Sequence, residues 1–243
     1  MRNIMITIEY KGTNYYGFQR QKDKLSVQGC LEDAIYKITN EKVNLIYSGR
    51  TDAGVHALGQ VANFHTKIRI PIDKIPGAIN SKLPEDISIV DAKEVSLDFH
   101  ARYHAKRKRY RYVILNSKYK RPIYNDVSYF VKHNLDIDKM IEESKHLIGE
   151  HDFKGFMRTG SSVKTTVRTI YEVELKKEGN LIILEIEGNG FLYNMVRIIA
   201  GTLVDIGRGR IDLSLKDIIE SKDRKKAGNT ADSKGLFLEK VYY

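Results

Sequence analysis

The sequence predicts an α+β protein: two mixed halves, each carrying several strands with flanking helices, on a mostly antiparallel sheet. Three observations predict it. Short runs in both halves alternate apolar and polar residues with a period of two, as half-buried strands do. Two of these runs meet at Gly179-Asn180, a two-residue hairpin signal, so neighbouring strands run antiparallel. Each half mixes such strands with a few helical patterns.

In chain order, Ile4, Ile6, Ile8 and Tyr10 share one face of a first strand, opposite Met5, Thr7 and Glu9. Lys11-Gly12-Thr13-Asn14 ends it in a turn. Ser26 caps a helix whose apolar positions are Val27, Leu31, Ala34, Ile35 and Ile38. Strands follow at Val43–Tyr47 and Gln60–Thr66. Between them Ser48-Gly49-Arg50-Thr51-Asp52-Ala53-Gly54 is too polar and glycine-rich for either element, so it is a loop. Arg109 to Leu115 is a strand with Tyr110, Tyr112 and Ile114 on one face. Asp138 starts a helix through Ile141, Ser144, Leu147 and Ile148, and Gly149 stops it. Thr169–Lys176 and Leu181–Glu187 form the hairpin. Met195–Ile206 is an apolar helix, and Ser214-x-x-Asp217 opens another. The boundary between halves falls near Tyr103 to Lys108, giving 1–105 and 106–243.

Composition narrows the function. Of 243 residues, 42% are hydrophobic and 30% charged, which excludes a disordered tail. No apolar run is long enough to cross a bilayer, and the start lacks the apolar stretch of a secretory signal. The single cysteine, Cys30, excludes an internal disulfide framework and any multi-cysteine metal site. A reducing, cytoplasmic setting follows as the expectation. Lys plus Arg number 41 against 31 Asp plus Glu, a formal net charge of +10 that favours a polyanionic partner, nucleic acid before membrane.

Three features can carry chemistry. Lys106-Arg107-Lys108-Arg109-Tyr110-Arg111-Tyr112 combines cations for phosphates with aromatic faces for bases. A solvated basic edge strand with its tyrosines in the core is the plainer alternative. The loop sets the Asp52 carboxylate between two glycines and beside Arg50, whose guanidinium favours the ionised form. An ionised carboxylate can act as nucleophile, base or metal ligand; a turn in which Asp52 bonds its own backbone would explain it equally. Arg197 is one charge inside an apolar helical stretch, where it needs a carboxylate or phosphate partner or must snorkel to water. No dinucleotide fingerprint, P-loop or His-Glu-x-x-His is present, and His56, His65 and His104 lack metal-ligand spacing.

These segments carry a resemblance. SGRTDAGVHALGQVANFHT (48–66) closely resembles the catalytic segment of the tRNA pseudouridine synthase A family. EYKGTNYYGFQRQ (9–21), SVQGCLEDAI (26–35), FHARYHAKRKRYRYVI (99–114), GEHDFKGF (149–156), NGFLYNMVRIIAGTLVDIGRGR (189–210) and KGLFLEKVYY (234–243) resemble further segments of it. The family often has tryptophan where Phe18 stands.

The resemblance implies one extended antiparallel sheet formed by the two halves, with a central cleft. It implies that Asp52 is the catalytic aspartate, that Arg197 pairs with it and that Tyr110 stacks on the target base. Arg50 would help hold the flipped nucleotide and Leu236 would be the apolar residue near the base. Lys106, Arg107 and Lys108 would meet RNA phosphates. It further implies a homodimer binding one tRNA, its surface in the C-terminal half, acting on uridines 38, 39 and 40 of the anticodon arm without metal or organic cofactor.

Such a reaction breaks the N1–C1′ bond of uridine, turns the base and rejoins it through C5. It needs a carboxylate, a place for a base out of its stack and a basic surface. Attack of Asp52 on C1′, attack on C6 and removal of a sugar proton are all open to it. A non-catalytic RNA-binding module gives no role to Arg-Thr-Asp-Ala-Gly or Arg197. A metal-dependent nuclease would need further acids near Asp52, and the sequence offers none there.

Overall fold

The computed structural model describes residues 1–160 and 163–243. The chain divides into two compact units, 1–106 with 237–243, and 107–236. The half expected at 106–243 thus ends in residues that group with the first unit.

In the first unit, β1 (Arg2–Tyr10) is the central strand. Its period-two pattern puts Ile4, Ile6 and Ile8 at 0% exposure and Tyr10 at 3%, the core face the alternation requires. α1 (Val27–Thr39) begins at Ser26, whose hydroxyl accepts from the Gly29 N–H at 3.3 Å. It ends at Asn40, in the left-handed region that asparagine tolerates. β2 is only Ile46–Tyr47. The longer strand expected at 43–47 does not form; the Leu45 N–H is bonded instead by the Glu32 carboxylate of α1 at 3.3 Å. β3 (His56–Thr66) starts four residues earlier than its apolar run suggests. α2 (Ile75–Asn80) and β4 (Ile87–Val95) complete the segment. β1 pairs antiparallel with β3, Ile6 opposite Ala62, and with β4, Ile8 opposite Ile89. β2 pairs antiparallel with β3, Tyr47 opposite Ala62. Val27, Leu31, Ala34 and Ile35 of α1 and Ile75 and Ile79 of α2 are buried with the isoleucines of β1.

In the second unit, β5 (Arg107–Asn116) pairs antiparallel with β9 (Leu181–Gly188) and in parallel with β6 (Tyr129–Val131). β9 pairs with β8 (Val167–Glu178), and β8 with β7 (Gly149–Asp152), all antiparallel. The hairpin forms at Gly179-Asn180 as the dipeptide predicts, Glu178 opposite Leu181. α3 (Ile137–Ser144) is capped by Asp136, which accepts from the Lys139 N–H at 2.9 Å, rather than starting at Asp138. A 3-10 turn over Lys145–Leu147 then shifts the phase and leaves Ile148 47% exposed. α4 (Met195–Gly207) is buried at every residue except Arg197. α5 (Leu215–Ser221) starts at Ser214, whose hydroxyl accepts from the Asp217 N–H at 3.1 Å. The last strand, β10 (Leu236–Tyr242), belongs from Phe237 onward to the first unit, where it pairs in parallel with β3, Leu238 opposite Ala57. The fold class is therefore α+β, with mostly antiparallel pairing in each unit. Among the described residues no helix is long and apolar enough to cross a membrane.

Candidate active site

Asp52 sits in the loop from Ser48 to Val55, held between the antiparallel strands β2 and β3. The loop is tied at both ends. The Ser48 N–H donates to the Val61 carbonyl at 2.9 Å, and its hydroxyl donates to Gln60 Oε1 at 2.7 Å. Gln60 Nε2 in turn donates to the Gly49 carbonyl at 2.9 Å. Gln60 is fully buried, and its side chain holds this loop at Ser48 and Gly49 while also accepting from the Val61 N–H at 3.2 Å.

The middle of the loop is fixed by β1 and the turn after it. The hydroxyls of Tyr10 and Thr51 lie 2.7 Å apart, both residues buried. The Phe18 N–H donates to the Thr51 carbonyl at 3.1 Å, and the Gly54 N–H to the Tyr15 carbonyl at 3.3 Å. Thr51 is buried, whereas Arg50 is exposed and Asp52 half-buried. Asp52 then opens a turn: the Val55 N–H donates to its carbonyl at 3.1 Å, with Gly54 third at φ +75°. That is the position where a type II turn calls for glycine. At the far end His56 Nδ1 accepts from the Gly12 N–H at 3.0 Å, which sets the neutral ring with its proton on Nε2. The His56 ring stacks on Phe237 with centroids 4.7 Å apart.

In the second unit, strand alternation sorts the basic run into two faces. Arg107, Arg109 and Arg111 lie on one, against glutamates of β8 and β9. Arg107 Nη1 donates to Glu187 Oε1 at 2.8 Å. Arg109 reaches Glu187 at 3.0 Å and Glu172 at 2.6 Å, and Arg111 reaches Glu185 at 3.1 Å. Lys108 and Tyr110 lie on the opposite face, where Tyr110 is across from Ile186. Tyr110 is half-buried, its ring edge-on to Phe191 at 4.9 Å and 78°. Tyr112 is fully buried, its hydroxyl donating to the Asp232 carbonyl at 2.7 Å, and burial pushes that hydroxyl well above its usual pKa. The two tyrosines thus have different environments on one face: Tyr112 is core, and Tyr110 keeps partial access. Lys106, last residue of the first unit's main segment, is exposed, and its N–H donates to the Tyr242 carbonyl at 2.8 Å.

Arg197 is the third residue of α4. Its Nε donates to the Ala231 carbonyl at 2.8 Å and its Nη1 to Asn194 Oδ1 at 3.0 Å. Arg197 is the one residue of α4 that is not buried, and its guanidinium is held by these two acceptors. Leu236 is 7% exposed and begins β10. Sequence reasoning missed Tyr10, Gln60 and Asn194 as supports. Gln60 carried a signal, being polar in an otherwise apolar run; the pairings of Tyr10 and Asn194 needed the fold.

The first unit thus holds the Asp52 loop on both flanks, and the second keeps Tyr110 partly accessible on a strand and anchors Arg197 in an apolar helix. The family model that matches the chain, over residues 6–104 and 144–243, is that of tRNA pseudouridine synthase. The chain is 52% identical to "tRNA pseudouridine synthase A" of Thermoanaerobacter sp. (strain X514), covering all of both chains. It is 54% identical to the protein of that name from Caldicellulosiruptor saccharolyticus, again over all of both. It is 48% identical over the full length of both to "tRNA pseudouridine synthase A 2" of Clostridium perfringens. The chain belongs to the tRNA pseudouridine synthase family, isomerases that act on uridine in tRNA.

Proposed function

We propose that the protein converts uridines 38, 39 and 40 of the tRNA anticodon stem-loop to pseudouridine by an Asp52-dependent route, as a cytoplasmic homodimer. Full-length identity of about half to chains called tRNA pseudouridine synthase A supports the reaction and substrate. The observation that carries the residue roles is the loop itself, in which paired backbone and buried side chains hold the flanks of Asp52.

The chemistry exchanges one bond to C1′ for another. The N1–C1′ bond breaks, the base turns, C5 bonds to C1′, the hydrogen of C5 leaves to water as a proton and N1 takes up a proton in exchange. No electrons enter or leave, so no redox partner is required. Asp52 supplies the carboxylate, and each of its three possible routes needs the ionised form. Arg197 supplies its counter-charge. Tyr110 receives the flipped base against its ring, with Leu236 as the apolar neighbour, and Arg50 holds the displaced nucleotide. Lys106, Arg107 and Lys108 contribute positive charge for the phosphates. The N-terminal half (1–105) brings the loop. The C-terminal half (106–243) brings Tyr110, Arg197 and the dimer surface.

The test uses anticodon-arm tRNA tritiated at uridine C5. Tritium should pass to water without strand cleavage and without added metal, and the product should map to positions 38–40. Release mapping elsewhere in the tRNA would overturn the positions. Binding without release would reduce the protein to an RNA-binding module.

A further inference from the structure

We propose that Asn194 is a positioning residue for this reaction: its side chain, turned away from capping α4, fixes the guanidinium of Arg197. The proposal rests on the reading of Arg197 given above. An asparagine ahead of a helix ordinarily has extended backbone, and its side-chain oxygen accepts from the second or third helical N–H. Asn194 does neither. Its backbone is left-handed (φ +63°, ψ +7°), and its side chain makes no capping bond. Backbone groups start the helix instead. The Met195 N–H donates to the Leu192 carbonyl at 3.0 Å, and the Ile198 N–H to the Asn194 carbonyl at 2.9 Å.

The amide oxygen goes to Arg197 Nη1 at 3.0 Å. The second anchor is the Ala231 carbonyl, 2.8 Å from Nε, and the Ala231 N–H returns a bond to the Arg197 carbonyl at 3.1 Å. That carbonyl is itself held in place. The segment carrying it lies so close on α4 that a β-carbon on Gly201 would sit 1.8 Å from the Asn229 carbonyl oxygen. The Gly228 N–H also donates to the Thr202 hydroxyl at 2.9 Å. A guanidinium is planar, so anchors on two different nitrogens fix both its plane and the direction of its other N–H groups. The left-handed backbone, which asparagine tolerates better than most residues, is what brings the amide within reach.

Glycine and aspartate separate the two roles. Asn194→Gly accepts the left-handed backbone but removes the side-chain oxygen; Asn194→Asp keeps an acceptor. Steady-state tritium release, tRNA affinity and melting temperature are measured for both, with Arg197→Met alongside. The expected result is a kcat at least tenfold lower for Asn194→Gly, with KM and tRNA affinity within about threefold of the parent. Asn194→Asp should recover kcat to within about threefold. An Asn194→Gly protein with kcat within twofold of the parent, while Arg197→Met is inactive, overturns the inference and leaves the active-site reading intact. Equal loss of kcat in both Asn194 variants overturns it too. An active Arg197→Met protein overturns the reading of Arg197 itself.

Discussion

The Tyr10 hydroxyl lies 2.7 Å from Thr51 Oγ1, joining the end of the first strand to the residue next to Asp52. Both residues are buried, at 3% and 7% exposure, so neither hydroxyl has water as a ready substitute. Tyr10→Phe should therefore destabilise the protein by about 1–3 kcal/mol, the cost of a buried polar group that loses its partner. Removing the partner as well should be milder. Tyr10→Phe/Thr51→Val should regain part of that loss in chemical denaturation. An additive double variant would show that the two hydroxyls do not act as a pair.

The main elements were legible because their local signals agree. β1 alternates cleanly, α1 and α5 have serine caps, and the β8–β9 hairpin has its glycine. β4 escaped because only Ile87 and Ile89 are buried, so alternation stops after two positions. β2 was read too long because Val43 and Leu45 look strand-like, whereas a glutamate from α1 takes the Leu45 N–H. The third helix starts at Asp136 rather than Asp138: both suit a cap, and only burial of Met140 and Ser144 fixes the phase. In the site, the motif around Asp52 and the lone charge of Arg197 were visible in one dimension. Their supports were not, since Tyr10 and Thr51 are 41 residues apart and Arg197 and Ala231 are 34 apart.

The basic run divides in its expected contribution to RNA binding. Arg107 is engaged with Glu187, whose side chain is only 4% exposed, Lys106 is exposed ahead of β5, and Lys108 lies on the opposite strand face from Arg107. Lys106→Glu/Lys108→Glu should weaken tRNA binding and flatten its salt dependence by about one log–log unit per lost phosphate contact. Arg107→Gln should weaken tRNA binding too and should in addition lower the melting temperature, because Glu187 loses a partner. A double lysine variant that keeps the parent salt slope would remove both lysines from the RNA surface.

Acid should selectively weaken the corner around Asp152. Its carboxylate accepts from the Thr166 hydroxyl at 2.5 Å and the Lys154 N–H at 3.2 Å, and pairs with Lys222 at 3.1 Å. The Thr166 hydrogen bond is the main cause of a pKa below the usual carboxylate range, with Lys222 adding to it against the effect of burial. A carboxyl with a lowered folded-state pKa stabilises the fold above its unfolded value, about 3.9, and that contribution is lost as pH falls through the folded value. Asp152→Asn should thus cost about 1 kcal/mol at neutral pH, and parent and variant should converge below about pH 4. A constant difference across that range would show that ionisation of Asp152 contributes nothing.

Asp52→Asn is the substitution on which the proposed mechanism depends most directly. The loop's flanks are held by Tyr10, Phe18, Tyr15 and Gln60 through Thr51, Gly54 and Gly49, none of which requires a charge at residue 52. The turn bond from the Val55 N–H goes to the backbone carbonyl of residue 52, which asparagine retains. The backbone course of the loop should therefore be kept. Affinity for tRNA comes mainly from phosphate contacts and base stacking and should stay within about tenfold of the parent, about 1.4 kcal/mol. Asparagine removes the negative charge and nearly all nucleophilicity, so attack at C1′, attack at C6 and removal of a sugar proton all fail together. Tritium release from C5-labelled tRNA should fall to background in single-turnover assays with excess enzyme. A variant that kept a tenth or more of the parent rate would show that another group carries the chemistry, and Asp52 would revert to a turn residue.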